Sequence, residues 1–241
     1  MSVVATDTPL AGRLALVTGA SRGIGAATAV ALGAAGAHVI LVARTTDALE
    51  EVESLIHDAG GSATIAPLDL IDGESIGRLA SAISGRWQAL DILVLNAAQL
   101  GSLASVPAID TKEFAKVMTL NVSAQQALIA AFDPMLRASS DARVLALTSS
   151  VAHKPRPYWG GYAATKAALE ALVLAYGEEV KNISAIRAHI VDPGATATVM
   201  RAKAFPGEDQ TTLKSPEAVA QAIVALVRRD APNGESIRVE G

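Results

Sequence analysis

The sequence predicts a single α/β domain in which a parallel seven-stranded sheet carries helices on both faces. Short apolar runs rich in Val, Ile and Leu alternate with longer helical stretches along the whole chain. These runs lack a polar face, which is typical of parallel strands buried between two helix layers. The chain has 241 residues and shows no internal repeat or low-complexity linker, so we expect one doubly wound domain over residues 1–241.

The first half of the chain alternates strand and helix regularly. Gly36 ends an alanine-rich first helix, and Leu49, Val52, Leu55 and Ile56 share one face of the second. Gly60 opens the turn into the third strand. The predicted strands are 14–18, 38–43, 62–68 and 91–95, and the predicted helices are 24–35, 46–59 and 72–85.

The second half continues the pattern and contains one irregular stretch. Ser215, Pro216 and Glu217 form a strong helix start, with an N-cap serine, a proline at the first position and an acid facing the helix dipole. The predicted strands are 144–148, 186–192 and 236–240, and the predicted helices are 110–136, 161–181 and one from 215. The irregular connection 195–214 is typical of a substrate loop.

Composition excludes several classes of function. The chain is 51% hydrophobic, has a net charge of −4 and contains no cysteine. A nucleic-acid surface, disulfides and thiol chemistry are therefore not expected. The N-terminal sequence has no signal-peptide pattern and no apolar run is long enough to cross a bilayer, so we expect a cytoplasmic protein. The four histidines do not cluster, and no metal site is predicted.

A glycine-rich loop follows the first strand and opens a helix. Gly19, Gly23 and Gly25 have the GxxxGxG spacing, a variant of the dinucleotide fingerprint of Rossmann-type domains. The glycines permit a tight turn, and the exposed N–H groups with the helix dipole favour a pyrophosphate. The loop residues expected to bind the cofactor are Gly19, Ser21, Arg22, Gly23, Ile24 and Gly25.

The end of the second strand indicates which dinucleotide is bound. An acidic residue there would bind the ribose 2′-hydroxyl of NAD, but this chain has Ala43 followed by Arg44. Arg44 and Arg22 can bind a 2′-phosphate through charge-assisted hydrogen bonds. We therefore expect NADP(H) to be preferred, with NAD(H) possible.

Tyr162 and Lys166 lie four residues apart in a predicted helix and so share one face. An ammonium about 4 Å from a phenolate would favour the ionised phenol by about 4 kcal/mol, which corresponds to a drop in pKa of roughly three units. A tyrosine–lysine pair is therefore a usable general acid/base.

Taken together, the motifs resemble the short-chain dehydrogenase/reductase family, in its short, non-extended branch. The resemblance covers essentially the whole chain. The motifs are TGASRGIG at 18–25, LNAA at 95–98, Asn121, TSS at 148–150, YAATK at 162–166 and DPGATAT at 192–198.

The resemblance implies a role for each matching position. Tyr162 would be the acid/base, Lys166 would lower its pKa and bind the nicotinamide ribose, a serine would bind the reacting oxygen, and Asn121 would anchor a water. The remaining cofactor contacts implied are Asp69, Leu70, Asn96, Ala97, Ala98, Pro193, Gly194, Thr196 and Thr198.

Two positions depart from the family pattern or leave a choice. Ala98 stands where the family commonly has glycine, and its Cβ would crowd the cofactor slightly. Ser149 and Ser150 both fit the serine position; Ser149 is preferred because it lies thirteen residues before Tyr162, the spacing usual in the family. Neighbouring strand residues face opposite sides, so only one can reach the substrate.

The expected function is an NADP(H)-dependent interconversion of a ketone or aldehyde with an alcohol. The alternatives are a cofactor-sensing protein without catalysis, an NAD-preferring alcohol dehydrogenase of the same fold, and an epimerase or dehydratase of the extended family branch. The resemblance also implies a homodimer or homotetramer that packs through the helices of Asn121 and Tyr162. The residues expected to shape the substrate pocket are Pro155, Tyr158, Trp159, Met200 and Phe205.

Overall fold

The computed structural model describes residues 8–240, which contain one parallel sheet of seven strands. The strands are β1 (Leu14–Thr18), β2 (His38–Ala43), β3 (Ser62–Pro67), β4 (Ile92–Leu95), β5 (Arg143–Leu147), β6 (Arg187–Asp192) and β7 (Ser236–Arg238). Their spatial order is β3-β2-β1-β4-β5-β6-β7, so the winding reverses between β1 and β4. This confirms the predicted fold class and puts a topological switch point at the carboxyl ends of β1 and β4, where ligands bind in such sheets.

Helices cover both faces of this sheet. They are α1 (Gly23–Ala34), α2 (Thr46–Asp58), α3 (Gly73–Ser84), α4 (Thr111–Met118), α5 (Ala124–Ala138), α6 (Gly160–Val180), α7 (Val199–Ala204) and α8 (Pro216–Arg228). Apolar residues of α1, α2 and α8 form the core on one face, and those of α3, α5 and α6 form the core on the other. The two-residue period of the strands divides them, so that Leu16 joins one core and Val17 the other.

Three elements differ from the predicted boundaries. The helix expected over 110–136 is divided into α4 and α5 by a π-helical turn, Thr119–Ser123, which carries the buried Asn121. The last strand ends at Arg238. The connection 195–214 contains α7 and a bridge between Thr196 and Lys214, so it is less irregular than expected. Hydrophobic periodicity locates a helix but does not reveal one extra residue in a turn.

The N-terminal residues 1–7, on which the signal-peptide prediction partly rests, lie outside the described part of the chain. Within residues 8–240, no helix combines the length and the apolar character needed to cross a membrane.

The start of α1 lies so close to the end of β1 that Gly25 has no room for a side chain. A Cβ atom there would lie 2.3 Å from the carbonyl oxygen of Gly19 and 2.4 Å from Nδ2 of Asn96. Both atoms are held, because the Asn96 amide donates to the carbonyl of Thr18 at 2.8 Å and to that of Gly19 at 3.3 Å. Gly25 therefore permits the close packing of α1 against β1 and β4.

His189, in β6, is a fully buried histidine. Within the described residues, neither of its ring nitrogens has a hydrogen-bond partner. Burial, followed by the charge of Arg143, lowers the pKa of His189 from 6.5 to about 4. The unfolded chain therefore binds more protons than the folded chain between these two pH values. Stability is lost as the pH falls through this window and is unaffected by this group above it.

We expect Gly25→Ala to lower the free energy of unfolding by about 2 kcal/mol or more, because backbone atoms must move to admit the methyl group. Gly77→Ala is the matched control, because Gly77 lies inside α3 with nothing within 4 Å of its Cβ position. Alanine there should raise the free energy of unfolding by as much as about 1 kcal/mol. Urea unfolding followed by circular dichroism measures both changes. Equal effects at the two positions would contradict the packing argument.

We expect His189→Leu to make the free energy of unfolding fall less steeply between pH 6.5 and 4. Relative to wild type, the free energy of unfolding of the variant should rise by about 3 kcal/mol between pH 6.5 and pH 4, since leucine cannot be protonated in the unfolded chain. Unfolding curves at several pH values measure it, with the exposed His57→Gln as control. A wild-type slope in the leucine variant would show that another group causes the acid sensitivity.

Candidate active site

The carboxyl ends of the strands open onto one cavity with a volume of about 810 Å³. Most of the residues predicted for the site line it, although they come from distant parts of the chain. Those that line the cavity are Gly19, Ser21, Arg22, Gly23, Ile24, Arg44, Asp69, Leu70, Asn96, Ala97, Ala98, Ser149, Tyr162, Lys166, Pro193, Gly194, Thr196 and Thr198. Gly25 and Asn121 are the two predicted site residues that do not line it. Gly25 acts instead in the packing described above.

Hydrogen bonds to residues at the end of β4 hold the glycine loop in place. Gly19 and Gly23 have φ angles of +64° and +57°, which residues with a side chain rarely adopt. The hydroxyl of Thr18 accepts hydrogen bonds from the N–H groups of Asn96 and Ala97, both at 3.0 Å, and donates to the carbonyl of Val94 at 3.1 Å. The predicted Asn96–Ala97 segment therefore both lines the cavity and sets the shape of the loop.

Two guanidinium groups lie at the part of the cavity formed by the glycine loop and the end of β2. Arg22 and Arg44 are both exposed and line the cavity. Within the described residues, neither is bound by a carboxylate. Unpaired arginines on a concave surface can accept a phosphate group without first breaking an ion pair.

The other predicted cofactor contacts are held by local turns. The Asp69 carboxylate accepts a hydrogen bond from the N–H of Ile71 at 3.1 Å. Gly194 has a φ of +61°, and its N–H donates to Asp192 at 2.9 Å. The hydroxyl of Thr198 caps α7 by accepting from the N–H of Arg201 at 3.1 Å. The methyl group of Thr198 lies near Gly23, so the start of α7 closes against the glycine loop.

Tyr162 and Lys166 lie one turn apart on α6 and are both buried, with 8% and 2% of their surfaces exposed. Nζ of Lys166 lies 5.7 Å from the centre of the Tyr162 ring and donates a hydrogen bond to the carbonyl of Leu147 at 2.7 Å. That carbonyl belongs to the end of β5, so α6 is attached directly to the edge of the sheet. Both side chains line the cavity.

The expected lowering of the tyrosine pKa by Lys166 was wrong for the protein groups alone. Burial, with a smaller contribution from the charge of Asp192, raises the pKa of Tyr162. Burial also lowers the pKa of Lys166 to about 8, while the charge of Glu170 acts in the opposite direction. Both members of the pair are removed from water, which disfavours the charged form of each.

The two candidate serines differ in position. Ser149 lines the cavity beside Tyr162 and Lys166, whereas Ser150 does not and begins a short 3₁₀ turn, Ser150–Ala152. Asn121 is fully buried in the π turn. Its amide exchanges hydrogen bonds with the backbone of Gln99 at 2.8 and 2.9 Å and donates to the hydroxyl of Thr165 at 3.0 Å. It thus joins the loop after β4 to the residue before Lys166.

An apolar wall stands beside Tyr162. Trp159 contacts Tyr162 edge-on, with 6.1 Å between ring centres, and is tilted against Phe205 at 5.6 Å. The guanidinium of Arg201 lies over Phe205 at 3.8 Å and binds Glu208 through two hydrogen bonds of 2.6 Å. This wall was partly predicted: Trp159 and Met200 line the cavity, Phe205 supports Trp159 from behind, and Pro155 and Tyr158 are exposed residues outside the cavity lining.

The sequence analysis missed a polar cluster beneath Lys166. Glu170 is buried, accepts a hydrogen bond from the hydroxyl of Thr148 and lies 2.7 Å from Nε2 of His153. The four-residue step from Lys166 to Glu170 repeats the step from Tyr162 to Lys166, which is a signal the sequence contains. His153 had been treated only as an isolated histidine.

Comparison with known proteins identifies the family. The family model for short chain dehydrogenases matches residues 13–209. An uncharacterized oxidoreductase of Escherichia coli K12, YciK, is 34% identical over 221 residues, which cover 90% of this chain and 87% of that protein.

Solved structures of short chain dehydrogenases are also similar to this chain. A short chain dehydrogenase structure from Pseudomonas syringae is 36% identical, with a TM-score of 0.93 over 100% of this chain and 99% of that one. One from Escherichia coli CFT073, complexed with NADPH, is 33% identical, with a TM-score of 0.93 over 98% and 99% of the two chains. The chain therefore belongs to the short-chain dehydrogenase/reductase family of NAD(P)-dependent oxidoreductases.

Proposed function

We propose that the chain is an NADP(H)-dependent oxidoreductase that interconverts a ketone or aldehyde with an alcohol. The observation that carries this proposal is the shared cavity, in which the glycine loop and two arginines without a carboxylate partner among the described residues lie with the buried pair Tyr162 and Lys166. A phosphate-binding end and an acid/base end in one cavity are what a dinucleotide-dependent proton and hydride transfer requires.

The residues present fit an NADP(H) molecule. The glycine loop offers backbone N–H groups at the start of α1, and Arg22 and Arg44 offer positive charge for a 2′-phosphate. An acid that would repel this phosphate is absent at the end of β2, where Ala43 precedes Arg44. The related Escherichia coli CFT073 structure complexed with NADPH adds support. When bound, NADPH would supply the hydride for the carbonyl carbon.

The proton would come from the Tyr162 hydroxyl. A phenol whose pKa is raised by burial stays protonated at neutral pH, which is the form needed to donate to the oxygen of a carbonyl as it is reduced. In oxidation, the same oxygen would take the proton back. Lys166 would hold the ribose end of the cofactor, and the Ser149 hydroxyl would bind the reacting oxygen. Asn121 would act through its contact with Thr165, as a positioning residue.

The substrate end of the cavity favours an apolar group next to the carbonyl. Leu100, Val151 and Tyr162 form an apolar cluster separate from the two main cores, and Trp159 and Met200 pack against it. Trp159 and Met200 line the cavity and are only half-buried, and covering such side chains on substrate binding contributes about 25 cal/mol per Å². The connection 195–214, through Met200 and its neighbours, would form one wall of this substrate pocket.

A homodimer or homotetramer is the assembly we propose. The outward face of α6 presents Ala171, Leu172 and Ala175 to solvent, a small and apolar surface that permits close packing of a second helix.

We expect Tyr162→Phe to reduce turnover by a factor of at least about 100, because the proton donor is lost while the ring remains. Affinity for NADPH should stay within about threefold of wild type. The measurement is NADPH and NADH oxidation against a panel of aldehydes and ketones, with cofactor binding followed by fluorescence. Wild type that binds NADPH but reduces no member of the panel would favour a cofactor-sensing protein, and unchanged turnover in the variant would contradict the mechanism.

We expect Arg44→Asp to weaken NADPH binding by roughly 10- to 100-fold, because a charge-assisted hydrogen bond to the 2′-phosphate becomes a repulsion. NADH binding should change much less. Arg156→Asp is a matched control, since this exposed arginine makes the same change of charge outside the cavity lining. Titration of each variant with both cofactors measures the ratio, and equal losses for NADPH and NADH would argue against 2′-phosphate recognition.

A further inference from the structure

Three side chains of α6 form a buried column that extends beyond the catalytic pair. Tyr162, Lys166 and Glu170 follow one another at four-residue steps and so occupy one helix face. Their exposed fractions are 8%, 2% and 5%. A carboxylate is rarely buried to this extent without a partner, since removing the charge from water is costly.

The Glu170 carboxylate is held on both oxygens by the segment that follows β5. One oxygen accepts a hydrogen bond from the hydroxyl of Thr148, and the other lies 2.7 Å from Nε2 of His153. Thr148 directly follows Leu147, whose carbonyl binds Nζ of Lys166. Consecutive residues at the end of β5 therefore hold the catalytic lysine and the carboxylate one turn beyond it.

We infer that Glu170 is a positioning residue of the active site, whose negative charge keeps the buried Lys166 in its ammonium form. The catalytic part of this inference rests on the proposed function. A neutral lysine would lose the charge and one of the three N–H donors with which it holds a ribose hydroxyl.

Electrostatics supports this role. Burial drives the pKa of Lys166 down to about 8, and Glu170 is the charged group that opposes it. Two other ionisable groups near this column act on its other two members. Asp192, at the end of β6, acts on Tyr162 and lies 3.6 Å from Arg238. His153 approaches the far oxygen of Glu170 with a side chain that is 70% exposed.

Within the described residues, the elements that pack against α6 from the other side contribute polar groups that are already hydrogen-bonded. The π turn contributes the amide of Asn121, which binds Thr165. From α4, Glu113 lines the cavity and accepts a hydrogen bond from the hydroxyl of Ser102 at 3.1 Å.

A purely structural role is the competing explanation, because Glu170 also joins α6 to the end of β5. The two roles separate when the charge is removed and the shape is kept. Glu170→Gln retains a side-chain oxygen that accepts from Thr148 but carries no charge. If Glu170 only joins α6 to the end of β5, this variant should behave largely as wild type. If its charge matters, Lys166 should lose its proton at a lower pH.

The test is a pH titration of the Lys166 side chain by NMR in the full chain, using ¹³C-labelled lysine and the loss of the signal in Lys166→Met as its assignment. We expect the midpoint in Glu170→Gln to fall by about one pH unit, because an opposite charge is lost. Glu170→Asp should restore most of the shift. Glu179→Gln, an exposed carboxylate-to-amide change on the same helix, should leave the midpoint unchanged.

The kinetic readout should move in the same direction. The alkaline limb of kcat/KM for carbonyl reduction is expected at lower pH in Glu170→Gln, with little change in the melting temperature. An unchanged Lys166 midpoint in folded Glu170→Gln would overturn the inference. If that variant does not fold, Glu170→Met provides the same test without a buried amide. The NMR titration needs no turnover, so failure of the proposed function and failure of this inference are distinguishable.

Discussion

The attachment of α6 to the end of β5 is the constraint on which the site depends. The carbonyl of Leu147 binds Nζ of Lys166, and the adjacent Thr148 hydroxyl binds Glu170. Because α6 is held at these points, its face with Tyr162 is fixed against the cavity rather than free to rotate. The same hydrogen bonds explain how a lysine can be buried here, since they replace part of the hydration that it loses.

The sheet order brings the two ends of the chemistry together. The glycine loop follows β1 and the segment with Ser149 and Tyr162 follows β5, yet only β4 separates these strands. Since all of the strands are parallel, their carboxyl ends meet at one edge. Asn96, at the end of β4, lines the cavity in the middle of this edge and hydrogen-bonds to the glycine loop. The loop that would bind phosphate and the helix that would transfer a proton are therefore parts of one rigid edge.

The sequence predicts the strands, and nearly all of the site residues that it predicts line the cavity, because buried parallel strands and the turns that follow them leave local patterns. The sequence does not predict properties that depend on the surroundings of a residue. The pKa of Tyr162 is raised by burial, which the spacing of two residues in a sequence does not reveal. The cluster of Thr148, His153 and Glu170 spans β5 and α6, so only the packed structure brings it together. The sequence motif places Gly25 in the glycine loop, and only the packed structure shows that a side chain there would meet Gly19 and Asn96.

The π turn at Thr119–Ser123 also changes what one long helix can do. One additional residue in a helical rod rotates everything after it by about 100°. Relative to an unbroken α-helix, the faces of α4 and α5 are therefore displaced from each other by this rotation. Asn121 lies in the π turn, where it hydrogen-bonds to Gln99 on one side and to Thr165 on the other. An unbroken α-helix of the same length could not both bury the apolar side of α5 and present an amide to the loop after β4.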